Sequence, residues 1–467
     1  MKPVFLWTDV LLWLLVAVTG LFVWHVRRHR HLREPWRRVM QRPLGAGAAM
    51  VLAVFILIGL LDSVHFRPAL PDNGHGSETH YSGEVLSLFD RLVTPLRTGI
   101  EKTYSAPFAC HLYQKESVRL PDGRLVRDYP RLKHACTRLT NPEAAPADIT
   151  GRLVRAVLQA LAGTVLTALF LALRLARRRG LSIGRALTLI LRGGSSWPLR
   201  TLLAVFFVLL LWLTASLQLA TDYHVLGTDK VGNDVYYQTL KSIRTGLVIG
   251  TLTTLVMLPF AIALGIMAGY FKGLVDDAIQ YLYTTLNSIP GVLLIAAAVL
   301  MLEVYMTNHP DLFETTVERA DLRLFFLCLI LGVTSWTGLC RLLRGETFKL
   351  AEIDYIQAAQ AFGVRHAEIL RRHILPNVMH VVLITVVLDF SGLVLAEAVL
   401  SYVGVGVDPA MNSWGNMINR ARLEMARDPM VWWSLAAAFI FMFALVLAAN
   451  LFSDAVRDAF DPRLRER

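Results

Sequence analysis

The stretch "DYIQAAQAFGVRHAEILRRHILPN", residues 354–377, is polar, alanine-rich and basic, yet it separates two long apolar runs near 323–340 and 378–403. Tyr355 to Phe362 is rich in helix formers. Ile356, Ala359 and Phe362 recur at i, i+3 and i+6, roughly one helical face, and Ala358 and Ala359 keep that helix slim. Gly363 supplies a left-handed stop. A second helical stretch is predicted from Arg365 to about His373, with basic residues at its end, where they suit the helix dipole. Pro376 suits the first turn of the helix that follows. Two short helices joined by a hinge either dock on a partner or lie on the lipid surface, and physics alone leaves both open.

Working outward, the chain has 467 residues, of which 55% are hydrophobic and only 18% charged. A soluble chain of that length carries more charge. Its apolar residues come in continuous runs of about 20, long enough to cross roughly 30 Å of hydrocarbon as helix. The alternating segments of a membrane β-barrel are absent. The expected fold is therefore an all-α polytopic membrane protein. Nine candidate spans lie near 4–26, 44–62, 153–175, 199–220, 245–268, 286–306, 323–340, 378–403 and 432–452. Arginines crowd the loops 27–43 and 174–200 and the segment 341–372, which are expected to be cytoplasmic. Nine spans then put the N-terminus and residues 63–152 outside and the C-terminus inside. The net charge of +11 is accounted for by these arginines facing anionic lipid, so nucleic acid is not an expected partner. No small-x-small cleavage pattern precedes the first arginines, so the first span is read as a retained anchor.

Residues 63–152 are too long for a simple connector. They hold Cys110 and Cys136. In an oxidising compartment a Cys110–Cys136 disulfide is expected; the alternatives are two free thiols, or a metal site with His111 and His134 that lacks any C-x-x-C spacing. No phosphate loop is present, because no Gly-Lys dipeptide occurs, and neither H-E-x-x-H nor G-x-S-x-G is found. No catalytic residue is assigned. Asp389 and Glu397 fall in or near the end of the eighth span, where a charge is costly and marks either a translocation path or a contact with a partner. Glu303 is expected to snorkel at a span end. Trp414, Trp432 and Trp433 are expected in the interfacial belt, and His373 as a helix-end cation or surface contact.

The opening stretch resembles the EAA loop of binding-protein-dependent ABC importer permeases. Gln357-Ala358-Ala359 opens the pattern, Gly363 follows at the family spacing and Leu375-Pro376 closes it. Gln357 stands where Glu is usual and His373 where Ile is common. "LGTDKVGNDVYYQTLKSIRTGL" (226–247) is similar to the stretch after the first core span of dipeptide and oligopeptide permeases, through Gly227, Thr228, Asp229, Gly232 and Asp234. "LAEAVLSYVGVGVDPAMNSWGNMI" (395–418) matches through Glu397, Leu400, Ser401, Gly404, Gly406, Pro409, Ser413, Trp414 and Gly415. "NLFSDAVRDAFDPRLR" (450–465) matches through Asn450, Asp454, Arg457, Asp458, Asp461, Pro462 and Arg463.

The resemblance implies a six-span type I permease core at 199–467. Outside it lie two anchor spans at 1–62, the external segment 63–152, and a third extra span with a basic linker at 153–198. It implies a bacterial inner-membrane subunit for di- or oligopeptides, with nickel or another small solute as the nearest alternative. The expected partners are a second homologous permease, two ATP-binding subunits, an extracytoplasmic solute-binding protein and membrane lipid. This chain then binds no cofactor, and ATP and Mg belong to the partner subunits. Tyr355, Gln357, Ala358, Ala359, Phe362, Gly363, Leu375 and Pro376 form the expected coupling loop, with Gly363 letting it bend. Asp389, Glu397, Ser401 and Trp414 are candidates for the path or the permease interface. A reading from another class is a receptor-like sensor whose external segment binds a ligand.

Overall fold

In hydrocarbon every backbone polar group must be satisfied within the segment, which a helix achieves unaided. The structure, a computed structural model, describes residues 2–69, 81–119, 125–310 and 315–460. Among them are nine helices long and apolar enough to cross a membrane: Trp7–Arg28, Pro43–Asp62, Pro142–Arg179, Leu199–Leu219, Val235–Phe271, Gly291–Asn308, Thr316–Ala351, His366–Val403 and Trp433–Phe460. Each covers one apolar run. Several are longer than the run itself: the fifth begins at Val235 and the eighth at His366, about ten residues before the hydrocarbon pattern starts. Hydropathy reports the lipid-buried part of a helix, not its polar ends.

The chain divides into two compact units. The first comprises Met1–Val4, Trp36–Arg244 and Asn412–Ala455. Here the Ala145–Arg179 helix lies along Leu199–Leu219. Ala156, Ala160 and Ala172 are fully buried, and a Cβ on Gly163 would stand 2.6 Å from Leu210. Small residues let two membrane helices approach closely enough for dispersion to hold them without a hydrophobic drive.

Residues 63–141 are more than a connector, and this part of the chain is not α-helical throughout. β1 (Lys2–Val4), β2 (His65–Arg67) and β3 (Leu86–Ser87) form an antiparallel sheet in that order. β4 (Glu116–Arg119) and β5 (Leu125–Asp128) form a hairpin. Cys110 and Cys136 are joined in a disulfide, which sets aside the free-thiol and metal readings. The pairing of β1 with β2 puts the start of the chain and the segment after the second span on one side of the membrane. The loop near 228 bonds to Ser105, and Tyr113 donates its hydroxyl hydrogen to the Met430 carbonyl at 3.1 Å. All three links require an even number of crossings, and the spans among the described residues supply two, two and six.

The second unit comprises Phe5–Pro35, Thr245–Met411 and Val456–Arg467. Its core gathers Met257, Ile266, Trp336, Leu343, Ile356, Ile369 and Ile374. Gly265 and Gly269 admit the backbone of the Thr337–Ala351 helix, whose carbonyls at Cys340 and Arg344 would lie 2.8 and 2.7 Å from an added Cβ. The first span joins this unit: the Thr8 amide donates to Asp321 at 3.1 Å.

Candidate functional site

In the second unit the opening stretch begins as a helix, Asp354–Ala361, which Gly363 ends at φ +73. The Val364 amide donates to Ala359 across this stop at 3.1 Å. The expected second short helix is not separate. His366–Ile369 passes through a π-helical turn, Leu370–Ile374, directly into Leu375–Val403, so Leu375 and Pro376 sit within one continuous rod. A π turn leaves one carbonyl pattern out of step, which accommodates Pro376 and its missing N–H.

The proposed single face also gives way. Ile356 is 0% exposed and belongs to the unit's own core, whereas Phe362 is 87% exposed. At about 100° per residue, six residues place Phe362 about 120° from Ile356 around the helix. Ala359 is half-buried, and Ala358, Gln357 and Tyr355 are exposed. Gln357 donates to the Glu352 carbonyl at 3.2 Å. Tyr355 receives a hydrogen bond from Asn377 at 3.1 Å, and its ring lies 5.9 Å from that of His373. The Tyr270 hydroxyl and His366 Nδ1 are 2.8 Å apart. Arg344 Nη2 donates to Asp276 at 2.7 Å, and this hydrogen bond holds the Asp276 carboxyl below its usual range.

The path candidates are divided between the two units. The Ser401 hydroxyl donates to buried Glu397 at 2.7 Å. Asp389, two turns earlier, is half-buried without an ion-pair partner among the described residues. Glu303 pairs with Arg323 at 3.4 Å rather than only snorkelling. Trp414 belongs to the first unit. It is 2% exposed and Trp433 1%, so neither is a belt residue: their indole N–H groups donate to Thr239 at 3.1 Å and Thr228 at 3.0 Å. Trp432 alone of the three is exposed.

In the first unit the Gly227–Asp234 motif is a rigid turn. Gly227 and Gly232 take φ +68 and +85. One Asp229 oxygen accepts from the amides of Val231 and Asn233, both at 2.9 Å, and the other from Gln238 at 2.6 Å. Asp234 accepts from the Tyr237 amide at 3.0 Å, capping the helix that starts there. Residues 101–105 lie directly against this turn. The Glu101 amide donates to Gly232 at 2.9 Å, and the Ser105 amide donates to Thr228 Oγ1 at 2.6 Å.

His224 stands between two carboxylates, 2.6 Å from Asp234 and 3.6 Å from Glu101. Burial by itself lowers the imidazolium pKa, but the hydrogen bonds and charges of Asp234 and Glu101 prevail and raise it to about 9. Burial likewise favours a neutral Glu101. His224 and the amides of Lys133 and His134 overcome that and bring it down to about 2. Toward the membrane, Lys241 donates to Asp62 at 2.8 Å and to Asp90 at 3.0 Å. Tyr237 donates to Asp90 at 2.7 Å and Ser87 to Asp62 at 2.6 Å. Burial opposes ionisation of Asp90, and the Lys241 charge outweighs it, so its pKa is lowered. The sequence reading missed Glu101, His224, Lys241, Asp62 and Asp90. The one available signal was Lys241 and Arg244 at the head of an apolar run, where ionisable groups require partners.

In the last motif Asn450, Asp454, Arg457 and Asp458 lie on the final helix, while Asp461, Pro462 and Arg463 lie outside the described residues. Residues 261–466 match the family described as "Binding-protein-dependent transport system inner membrane component". Over 244 residues the chain is 32% identical to the glutathione transport system permease protein GsiD of Pectobacterium atrosepticum, covering 52% of this chain and 73% of that one. It is 29% identical to the dipeptide transport system permease protein DppC of Bacillus subtilis, covering 52% and 69%. It is 31% identical to the oligopeptide transport system permease protein OppC of Mycobacterium tuberculosis, covering 54% and 80%. With nine apolar helices among its described residues and a relative matched over most of that relative's length, this chain belongs to the family of binding-protein-dependent transport system inner membrane components.

Proposed function

We propose that this chain is one permease subunit of an ATP-driven importer of short peptides in a bacterial inner membrane, with its N-terminus and residues 63–141 outside and its C-terminus in the cytoplasm. The names of its relatives support the substrate class: a dipeptide, an oligopeptide and a glutathione system. A second permease completes the path, and an external binding protein delivers the solute. Two ATP-binding subunits hold ATP and Mg. This chain has no catalytic role and holds no cofactor.

The observation that carries the reading is the placement of Phe362. It projects into solvent from a short helix whose other face is fixed in the core by Ile356. An aromatic knob on an anchored base is a hot-spot geometry for a partner's pocket. Three spans, an odd number, lie along the chain between the Gly227–Asp234 turn and this segment, which supports assigning the segment to the cytoplasmic side. Work done on Phe362 reaches the His366–Val403 helix through Ile356, Ile369 and Ile374, and so biases the path between its two accesses.

Reconstitution with the second permease, the ATP-binding subunits and the binding protein tests this. ATP-dependent accumulation of radiolabelled di- and tripeptides is expected. ATP-driven uptake of nickel with no peptide uptake would replace the peptide assignment, and a full complex without stimulated ATP hydrolysis would remove the coupling assignment.

A further inference from the structure

A cleft of about 390 Å³ opens in the first unit between the Asp229–Val231 turn, the start of the Val235–Phe271 helix and the Trp414–Glu424 helix. Tyr104, from the segment before the disulfide hairpin, closes one wall. Its size falls in the range of small-ligand sites.

The polar lining is nearly all engaged. Asp229 accepts three hydrogen bonds, one of them from Gln238. Glu424 pairs with Arg427 at 3.1 Å and receives the Tyr104 hydroxyl. Arg427 in turn lies 5.2 Å from the Tyr104 ring. Arg420 also has a partner. Two lining groups have none among the described residues, the Lys230 ammonium and the Ser434 hydroxyl. The ammonium can only donate, and the hydroxyl is free to. The rest of the wall is apolar, with Val231, Met417, Ala421, Leu423 and Val431. A cavity whose unmet groups include a cation and a hydroxyl donor, set in apolar walls, complements a carboxylate carried on an apolar body.

We propose that this cleft is a binding subsite for the C-terminal end of a free short peptide, with Lys230 and Ser434 holding its carboxylate and Val231, Leu423 and Met417 receiving an apolar last side chain. The inference rests on the peptide-import reading and adds to it a place on the external face where the peptide end is held. It also gives the added N-terminal segment a part in recognition, since Tyr104 is a wall of the site.

The test uses the full-length chain in lipid nanodiscs, titrated calorimetrically with the dipeptide Phe-Leu and with Phe-leucinamide. Saturable binding of the dipeptide is expected, roughly tenfold or more weakened by amidation and by Lys230→Gln. Lys230 and Leu423 are both exposed, so Lys230→Gln and Leu423→Glu leave the fold intact, which equal melting temperatures verify. Leu423→Glu is expected to repel the carboxylate to a similar extent. Equal binding of dipeptide and amide, binding unchanged in both variants, or no saturable binding would each overturn the subsite. Uptake of Phe-Leu by the reconstituted importer separates the two claims. Uptake without binding here removes the subsite alone, whereas absence of any peptide uptake by the wild-type complex removes the transport reading.

Discussion

The main-chain oxygen of Glu101 stands where a side chain on residue 232 would begin: a Cβ built on Gly232 would lie 1.8 Å from it. The two residues also share a hydrogen bond, from the Glu101 amide to the Gly232 carbonyl at 2.9 Å. The added segment is thus fitted to the turn at backbone distance, where no side chain could adapt. Gly232→Ala is expected to suffer a left-handed strain of about 1–3 kcal/mol and, beyond it, displacement of Glu101. Gly180→Ala provides the comparison, since Gly180 is also left-handed, at φ +65, but has open space around it. Thermal melts should show a clearly larger loss at 232; equal losses would contradict the contact.

The His224 cluster predicts an alkaline limb in stability. Its folded pKa is raised from 6.5 to about 9, so its contribution is complete below about pH 6.5 and disappears as pH rises through about 9. Glu101 is shifted the other way, so its contribution is complete above about pH 4.5 and disappears as pH falls toward about 2. The alkaline loss is on the order of 3 kcal/mol. Melting temperatures followed from about pH 7 to about pH 10 should decline, and Glu101→Gln should flatten that decline. A wild-type profile flat across the interval would refute the pairing.

Lys241→Met strands Asp62 and Asp90, both buried, without their cation. A loss of about 3–5 kcal/mol is expected. Adding Asp90→Asn to that variant should recover part of it, because one of the two stranded charges is gone. A double-mutant cycle with no coupling between positions 90 and 241 would count against the cluster.

Phe362→Ala and Ile356→Ala should separate docking from folding. Phe362 is exposed, so its truncation should leave the melting temperature unchanged while association with the ATP-binding subunits weakens by about 2 kcal/mol or more. Ile356 is fully buried, so its truncation should cost about 2–5 kcal/mol of stability. Full ATPase association by a folded Phe362→Ala protein would return the segment to the lipid surface.

Topology is open to cysteine labelling. Glu84 and Ser196 are both exposed, and they fall on segments assigned to opposite sides. An impermeant maleimide on intact cells should label Glu84→Cys and spare Ser196→Cys. The opposite pattern would invert the orientation.

The spans and their number were legible because each is a continuous local run, and lipid leaves a helix no alternative. Local turn chemistry was legible at Gly363, which takes the left-handed backbone that its position suggested. What was lost depended on angle or on distance along the chain. Ile356 and Phe362 were placed on one face by counting residues, although six steps do not close a turn. Trp414 and Trp433 were read from residue type alone, and type does not distinguish a belt from a hydrogen-bonded interior. The Glu101, His224 and Lys241 contacts join residues as much as 179 apart, and nothing in either segment names the other.

The elbow at Gly363 was expected to be the flexible joint of the segment. Its surroundings make it something else. Ile356 on one side and Ile369 on the other are both fully buried in the same core, seven residues before the glycine and six after it. A hinge whose two leaves are nailed to one board cannot swing. A force applied at Phe362 therefore finds little slack to take up, and displacement at the knob must appear as displacement of the board, with the helix that begins at His366 moving as part of it. The left-handed glycine sets the direction in which the knob points, and the stiffness on either side determines how much of a push survives the journey.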